Sequence, residues 1–290
     1  MKLGEISLEW LYDADFGLDG GAMFGVVPKA VWQKRYAADD ENFLPLALRP
    51  LLIRGPGFTL LVDAGYGSKL NEKQRKQFRL SRPSDPARAL REAGLEPEAV
   101  THLVFTHMHP DHAGGATCQG ADGKIRPTFP NAKVVIQERE YEAMTRLHLR
   151  TKHAYYEENW RPIEEAGLLQ RVDGTASVVP GVDVYLTGGH TLGHQAIKLT
   201  GGGTTLLHLG DLLPTHAHLN PLWVMAYDDF PMDSIGQKAE WLAQAQEEQW
   251  WLSFYHDAYL LAAIFDKDGN RLQAVEAPPR VQREQAPAIG

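Results

Sequence analysis

Thr106-His107-Met108-His109-Pro110-Asp111-His112 is the stretch on which the reading of this chain turns. It sets four groups able to ligate a metal into six residues, directly after the apolar run His102–Thr106. Histidines two apart on extended backbone point to the same side, so His107 and His109 can grip one ion. The chain then bends, and Asp111 and His112 can turn toward a second. Ala113-Gly114-Gly115 lets the backbone pass close to the site.

Outward from this stretch, three more candidate ligands stand after apolar runs. His190 follows residues 182–186, within Gly188-Gly189-His190-Thr191-Leu192-Gly193-His194. Asp211 follows residues 204–209 and Gly210, and His256 follows residues 251–255. A single His or Asp after a strand is usually a capping or hydrogen-bonding residue. Together the three supply what the first cluster lacks: a third nitrogen for one ion, a carboxylate to bridge two ions, and a further neutral ligand for the second. Nitrogen and carboxylate donors without thiolate suit zinc first, with manganese, iron and cobalt as alternatives. Two such cations lower the pKa of a bound water toward neutrality, so a bridging hydroxide serves as nucleophile. Asp111 can orient that nucleophile or take its proton, and Asp211 can pass a proton to the leaving group. No Gly-x-Ser-x-Gly elbow supports a serine hydrolase.

The remaining pattern predicts strands over 6–10, 50–54, 58–63, 102–106, 134–137, 182–186, 204–209 and 251–255. Helices are predicted over 85–94, capped by Ser84 or Asp85, and over 232–251, capped by Asp233. The strands fall in two clusters, each with helices, which fits two packed sheets in a layered α/β architecture. A single domain is expected over 1–277. Within it, residues 13–45 form an ordered loop at the pocket or a homodimer surface, and 138–167 a helical insertion interrupted at Pro162. Residues 278–290 read as a loose tail.

Composition narrows the function. Hydrophobic content of 43% with 23% charged residues describes a globular chain. A net charge of −8 disfavours nucleic acid as a partner. The lone Cys118 excludes an internal disulfide and a thiolate cluster. No signal core opens the chain and no run of 18 apolar residues occurs, so a cytoplasmic protein without a membrane partner is expected.

In its His-x-His-x-Asp-His run at 107–112, its later His190, its Asp211 after a strand and glycine, and its final His256, the chain resembles the metallo-β-lactamase superfamily. The resemblance implies an αββα sandwich of two mixed sheets with helices on the outer faces, and a dinuclear centre at one edge. It assigns His107, His109 and His190 to metal one, Asp111, His112 and His256 to metal two, and Asp211 to the bridge. The segment from Asp19 to Pro28 with Trp32, the Phe129-Pro130-Asn131-Ala132 run with Glu140, and Phe254-Tyr255-His256-Asp257 look like the lactonase and methyl-parathion-hydrolase-like branch. That branch implies a small, neutral, partly apolar substrate: a lactone or a related ester. A tyrosine three residues after the bridging Asp, present in some acyl-homoserine lactonases, is Pro214 here, and Tyr227 is the candidate substitute. Met23, Phe24, His216 and His218 are further candidates for substrate contact, and Val26, Val27, Tyr155, Tyr156 and Trp160 for an apolar pocket wall. His194 reads as orienting the His190 loop, and His102 and His208 as satisfied core histidines. The alternatives are a glyoxalase II-type thioesterase, a phosphotriesterase and a non-catalytic metal-binding protein. The thioesterase is disfavoured by Lys238 being the only Lys or Arg across 232–262.

Overall fold

Apolar side chains that alternate along a strand give it two faces to bury. In Leu51–Gly55, Leu51 and Ile53 face one way and Leu52 the other, and all three are fully buried. The computed structural model, which describes residues 1–278, covers both faces of such strands by stacking four layers.

The first sheet has seven strands in spatial order Lys2–Leu3, Ile6–Trp10, Leu51–Gly55, Phe58–Val62, His102–Val104, Lys133–Gln137 and Leu169–Val172. Its first four are antiparallel and its last joins are parallel. The second sheet orders Thr175–Val179, Val182–Leu186, Gln195–Gly201, Thr204–His208, Trp251–Ser253, Leu260–Phe265 and Arg271–Glu276. Only Thr204–His208 and Trp251–Ser253 run parallel there. The sheets face each other through Leu8, Leu51, Ile53, Leu60, Val184, Ile197, Leu199 and Leu206. The outer face of the first sheet packs Leu52, Leu61 and Leu103 against Leu90 and Met144 of the helices Pro86–Glu92 and Glu138–Thr145. The outer face of the second packs Leu207 and Leu252 against Leu242 and Ala245 of Pro231–Glu247. The αββα sandwich expected from the sequence is the architecture found.

Register decides where the chemistry goes. Val62 pairs with Val104 in parallel, so both strands end together and release Asp63 and the 105–112 segment at one edge. His208 pairs with Ser253 in parallel, releasing Asp211 and His256 together. Ile197 opposes His208, so the 187–194 turn before strand Gln195–Gly201 lies at that same edge. Ligands in sheets with parallel strands bind outside the carboxyl ends, and here both sheets present those ends side by side.

Some elements differ from expectation. Four strands stop one to two residues earlier than the apolar runs suggest, at Val62, Val104, His208 and Ser253, because the next residues bend into the site. Asp85 does cap its helix, accepting from the Arg88 N–H at 3.2 Å. Asp233 is no cap: Pro231, whose fixed φ suits a first turn, starts that helix two residues earlier. Residues 13–45 are not a plain loop. Ala14–Asp19 pairs with Phe43–Leu48 in an antiparallel ribbon that encloses the short helices Gly20–Phe24 and Lys29–Trp32. The insertion 138–167 is α-helical only at its ends, Glu138–Thr145 and Arg161–Glu165, with a 3-10 turn at Glu157–Asn159, and Pro162 opens the second helix instead of interrupting a longer one. Residues 279–290, with nearly all of the expected tail, lie outside the described residues. Among the described residues no helix is long and apolar enough to cross a membrane.

Candidate metal centre

The edge of the sandwich brings together all seven residues nominated by the sequence. Their donor atoms form three overlapping groups, each within 4.8 Å: His107, His109 and His190; His107, His112 and Asp211; Asp111, His112 and His256. His109 Nδ1 lies 3.0 Å from His190 Nε2, and His112 Nε2 lies 3.1 Å from His256 Nε2. Ligands of a tetrahedral ion with bonds of about 2.0 Å sit about 3.3 Å apart. Asp211 stands between the sets. Its Oδ1 is 3.2 Å from His112 Nε2 and 3.3 Å from His256 Nε2, while its Oδ2 is 3.4 Å from His190 Nε2. Asp111 Oδ2 is 3.4 Å from His256 Nε2.

The chemistry of this donor set fits divalent cations. His107 Nε2 is buried and has no hydrogen-bond partner among the described residues, a cost that a cation would remove. Burial, and then the neighbouring histidines, hold His107 and His109 well below the usual histidine pKa, so both are neutral with a free lone pair. Burial opposes charge on His112 and His190 too, but carboxylates outweigh it and raise both: Asp211, Asp111 and Asp63 around His112, Asp211 and Asp228 around His190. Asp211 is held well below the carboxylate range, despite burial, by His112, His256 and His190. The cluster therefore calls for positive charge at the place where metals would sit.

Three of the five histidines are aimed by a partner on their other nitrogen. His112 Nδ1 is 2.9 Å from Asp63 Oδ2, His190 Nδ1 is 2.8 Å from Asp228 Oδ1, and His256 Nδ1 is 3.1 Å from the Ala47 carbonyl. Such contacts set the tautomer and ring orientation of a ligating histidine. Asp63 is fully buried with φ +56, in the left-handed region that Asp tolerates better than most residues. Buried Glu140 ties the two loops of the His107 set together: its carboxylate accepts from Met108 N, Thr191 Oγ1, Gly193 N and Tyr155 OH. A Cβ at Gly193 would come within 2.0 Å of Glu140 N, so only glycine fits there. Gly115 serves a different contact from the one expected: a Cβ on it would meet Ala64 O at 2.0 Å, so it lets the backbone cross the 64–67 turn rather than the site.

His109, Asp111, His190, Asp211 and His256 line a cavity of about 370 Å³. Leu18, Met23, Tyr66, Phe78 and Met225 form one wall, and Arg150, Thr151, His153, Tyr227 and Asp229 the other. Of the residues put forward as contacts, Met23, Tyr156 and Tyr227 line it. Phe24 does not: it is fully buried, stacked on Trp32 and on His218. His218 faces away, bonded to Thr215 Oγ1 and the Met23 carbonyl, and His216 is taken up by Asp257. Trp160 belongs to the core under the first sheet, and Val26 is 88% exposed. His194 shapes the His190 loop, as its carbonyl accepts from Thr187 N and Gly188 N. His102 is not a core residue; it is partly exposed beside Thr101 Oγ1. His208 is buried, yet neither ring nitrogen has a partner among the described residues, and burial brings its pKa down to about 4. Asp228 and Arg150 carry no motif in the sequence. Asp63, an acid closing a buried apolar run, offers the one local signal.

Comparison with known proteins agrees with this geometry. The model of the metallo-beta-lactamase superfamily matches residues 50–256. A probable metal-dependent hydrolase from Staphylococcus aureus is 36% identical, with TM-score 0.91 over 97% of this chain and 100% of its own. An N-acyl homoserine lactonase of Bacillus thuringiensis is 34% identical over 120 residues. That match spans 41% of the lactonase's length and 41% of this chain. AidC, a dizinc quorum-quenching lactonase solved with a product, superposes with TM-score 0.75 at 19% identity over 97% of each chain, a likeness of fold.

Proposed function

The chain belongs to the metallo-beta-lactamase superfamily and is a metal-dependent hydrolase, and from that footing we propose that it uses two metal ions to open lactones or cleave related neutral esters. The observation that carries this reading is the convergence of seven nitrogen and carboxylate donors, five of which line a largely apolar cavity. In this reading His107, His109 and His190 would hold one ion and Asp111, His112 and His256 the other, with Asp211 within reach of both sets. Zinc suits the set first, then manganese, iron or cobalt.

Bound there, two divalent cations supply a water of lowered pKa and polarise the substrate oxygen. The chain's own residues do the rest. Asp111 lines the cavity with its side chain 15% exposed, against 8% for Asp211, so its carboxylate can orient the attacking water and take its proton. Asp211, ionised and reaching both histidine sets, is placed to relay to the leaving oxygen the proton that Asp111 takes. Burial, and then Asp111, push the Tyr227 phenol up to about 12, so it stays protonated and can donate to the substrate carbonyl. The apolar wall of Leu18, Met23, Phe78 and Met225 excludes water and accepts the greasy part of a neutral substrate.

The test is hydrolysis of a panel by metal-loaded protein: short and long acyl-homoserine lactones, an aromatic lactone, an aryl ester, a phosphotriester and a glutathione thioester. Lactone turnover that falls at least about a hundredfold in His109→Ala is the expected result. Thioester turnover alone would move the chain to a glyoxalase II-type activity, and phosphotriester turnover alone to a phosphotriesterase. Two bound metals with no turnover of any substrate would leave a metal-binding protein.

A further inference from the structure

Asp111 and His112 ride on a single turn of helix, Pro110–Ala113, whose start has no side-chain cap. In a longer helix Gly115 N would donate to the Asp111 carbonyl four residues back, but here it donates to Gly65 O at 2.9 Å. The orphaned Asp111 carbonyl is met instead by the Tyr255 hydroxyl at 2.9 Å. The same hydroxyl accepts from Gly65 N at 2.9 Å. One buried oxygen therefore ties the ligand turn to the 64–67 turn beside it, where Ala64 N also donates to the His112 carbonyl at 2.7 Å.

The rest of Tyr255 serves the same donors. Its ring stacks on His112, with centroids 4.5 Å apart and planes at 27°. Its chain continues into His256, whose ring it meets edge-on at 4.7 Å. Asp111, His112 and His256 form one of the donor groups. Among the described residues, no hydrogen bond or ring contact of Tyr255 reaches His107, His109 or His190. A side chain that only filled the core would need no such partners. Phe254, one residue earlier, is equally buried and belongs with Leu207, Leu252 and Leu260 under the second sheet.

We propose that Tyr255 is a positioning residue for the second donor set: its hydroxyl fixes the turn that points Asp111 and His112 at His256, and so governs the affinity for the second ion and the aim of the Asp111 carboxylate, while leaving the first set alone. The inference rests on the two-ion reading above and deepens it. Loss of the hydroxyl strands Gly65 N and the Asp111 carbonyl in a buried place, and the turn shifts to find other partners. Asp111 Oδ2, 3.4 Å from His256 Nε2 and 3.8 Å from His112 Nε2, then loses its register with both.

Tyr255→Phe removes that one oxygen and keeps the ring on His112, so the fold is preserved. Tyr36→Phe is the matched control. Tyr36 is also fully buried, and its hydroxyl likewise donates to a carbonyl, Pro45 O, and accepts from a backbone N–H, that of Ala258, each at 2.9 Å. The zinc-loaded protein and both variants are titrated against a competing chelator. In Tyr255→Phe the second equivalent is held roughly tenfold to hundredfold more weakly, the range for removing a partner of a ligand, and the first is unchanged. In Tyr36→Phe both equivalents keep their affinity. Cobalt in place of zinc reports the same split: the visible bands of the first equivalent persist in Tyr255→Phe, and those of the second change. Unchanged affinities in Tyr255→Phe, weakening of both equivalents alike, or the same weakening in Tyr36→Phe overturn the inference, since each leaves Tyr255 at most a support of the fold. Turnover separates this from the catalytic reading. The expected split with no hydrolysis of any lactone or ester keeps the positioning role and removes the reaction. Lactone hydrolysis with the second equivalent untouched by Tyr255→Phe does the opposite. A single equivalent in the unaltered chain overturns the inference and the two-ion reading together.

Discussion

Asp63 shows what the donor residues depend on. Its Oδ1 accepts from Thr106 N at 2.8 Å, and its Oδ2 accepts from Thr106 Oγ1 and faces His112 Nδ1, each at 2.9 Å. A carboxylate there keeps the His112 proton on Nδ1 and leaves Nε2 free toward His256 and Asp211. In Asp63→Asn the backbone strain is unchanged, since Asn also tolerates φ +56. The amide nitrogen, however, would face His112 Nδ1 as a donor and drive the proton to Nε2, which is the wrong tautomer for a ligand. The expected outcome is a tenfold to hundredfold loss of metal affinity, roughly the range for removing such a partner. Titration against a competing chelator measures it, and unchanged affinity would show that His112 is not aimed by Asp63. The donors themselves could be read from the sequence because few residue types ligate metals and they sit where strands end. Asp63 and Asp228 act on histidines 49 and 38 residues away, and only tertiary structure makes those pairs.

At the scale of elements, one side chain ties the insertion segment after Thr145 to the 226–229 loop of the site. Arg150 donates to Asp229 Oδ1 at 2.9 Å, to Ala226 O at 2.8 Å and to Asp228 O at 2.9 Å. The flanking Leu147 and Leu149 are 48% and 75% exposed and add little packing. Asp228 in turn aims His190, and Tyr227 lines the cavity. Arg150→Ala should therefore loosen this wall: amide exchange across residues 147–154 rises about tenfold, from three hydrogen bonds each worth about 0.5–1.5 kcal/mol less the screening of an exposed guanidinium. KM rises while the melting temperature hardly moves, because the sheets do not rest on this contact. Unaltered exchange would mean that the segment is seated by its own turns. The sequence shows most central strands because they are apolar on both faces, although Gln195–Gly201 and Leu260–Phe265, each paired on both sides, are not among the predicted ones. It hides Thr175–Val179 and Arg271–Glu276, which pair along only one side and alternate with exposed polar residues. The ribbon Ala14–Asp19 with Phe43–Leu48 is hidden for another reason: 23 residues of glycine-rich, helical chain separate its two strands, so no local turn announces the pairing.

For the whole molecule, the candidate centre is also the place where the two sheets are joined. The 105–112 segment leaves the first sheet, while Asp211, His256 and the His190 turn leave the second, and their side chains meet within a few ångströms. Hydrophobic packing between the sheets ends short of this edge, and the edge is filled instead by buried histidines and acids. A cation that binds the folded cluster and not the unfolded chain must then stabilise the fold by mass action: about 4 kcal/mol for each site when free metal stands a thousandfold above Kd. At this chain length about 1 kcal/mol corresponds to roughly 1.5–2 °C, so stripping one site lowers the melting temperature by roughly 6–8 °C. Adding zinc back restores it in a concentration-dependent way. His109→Ala should lose part of that shift, because it removes a donor from one set and leaves Asp111, His112 and His256 intact. Calorimetric melting with and without chelator, on both proteins, reads this directly. A melting temperature indifferent to chelation in the unaltered chain would mean that the seven residues satisfy one another as an ion-pair network, and that the charge drawn toward Asp211 is carried by protons on His112 and His190.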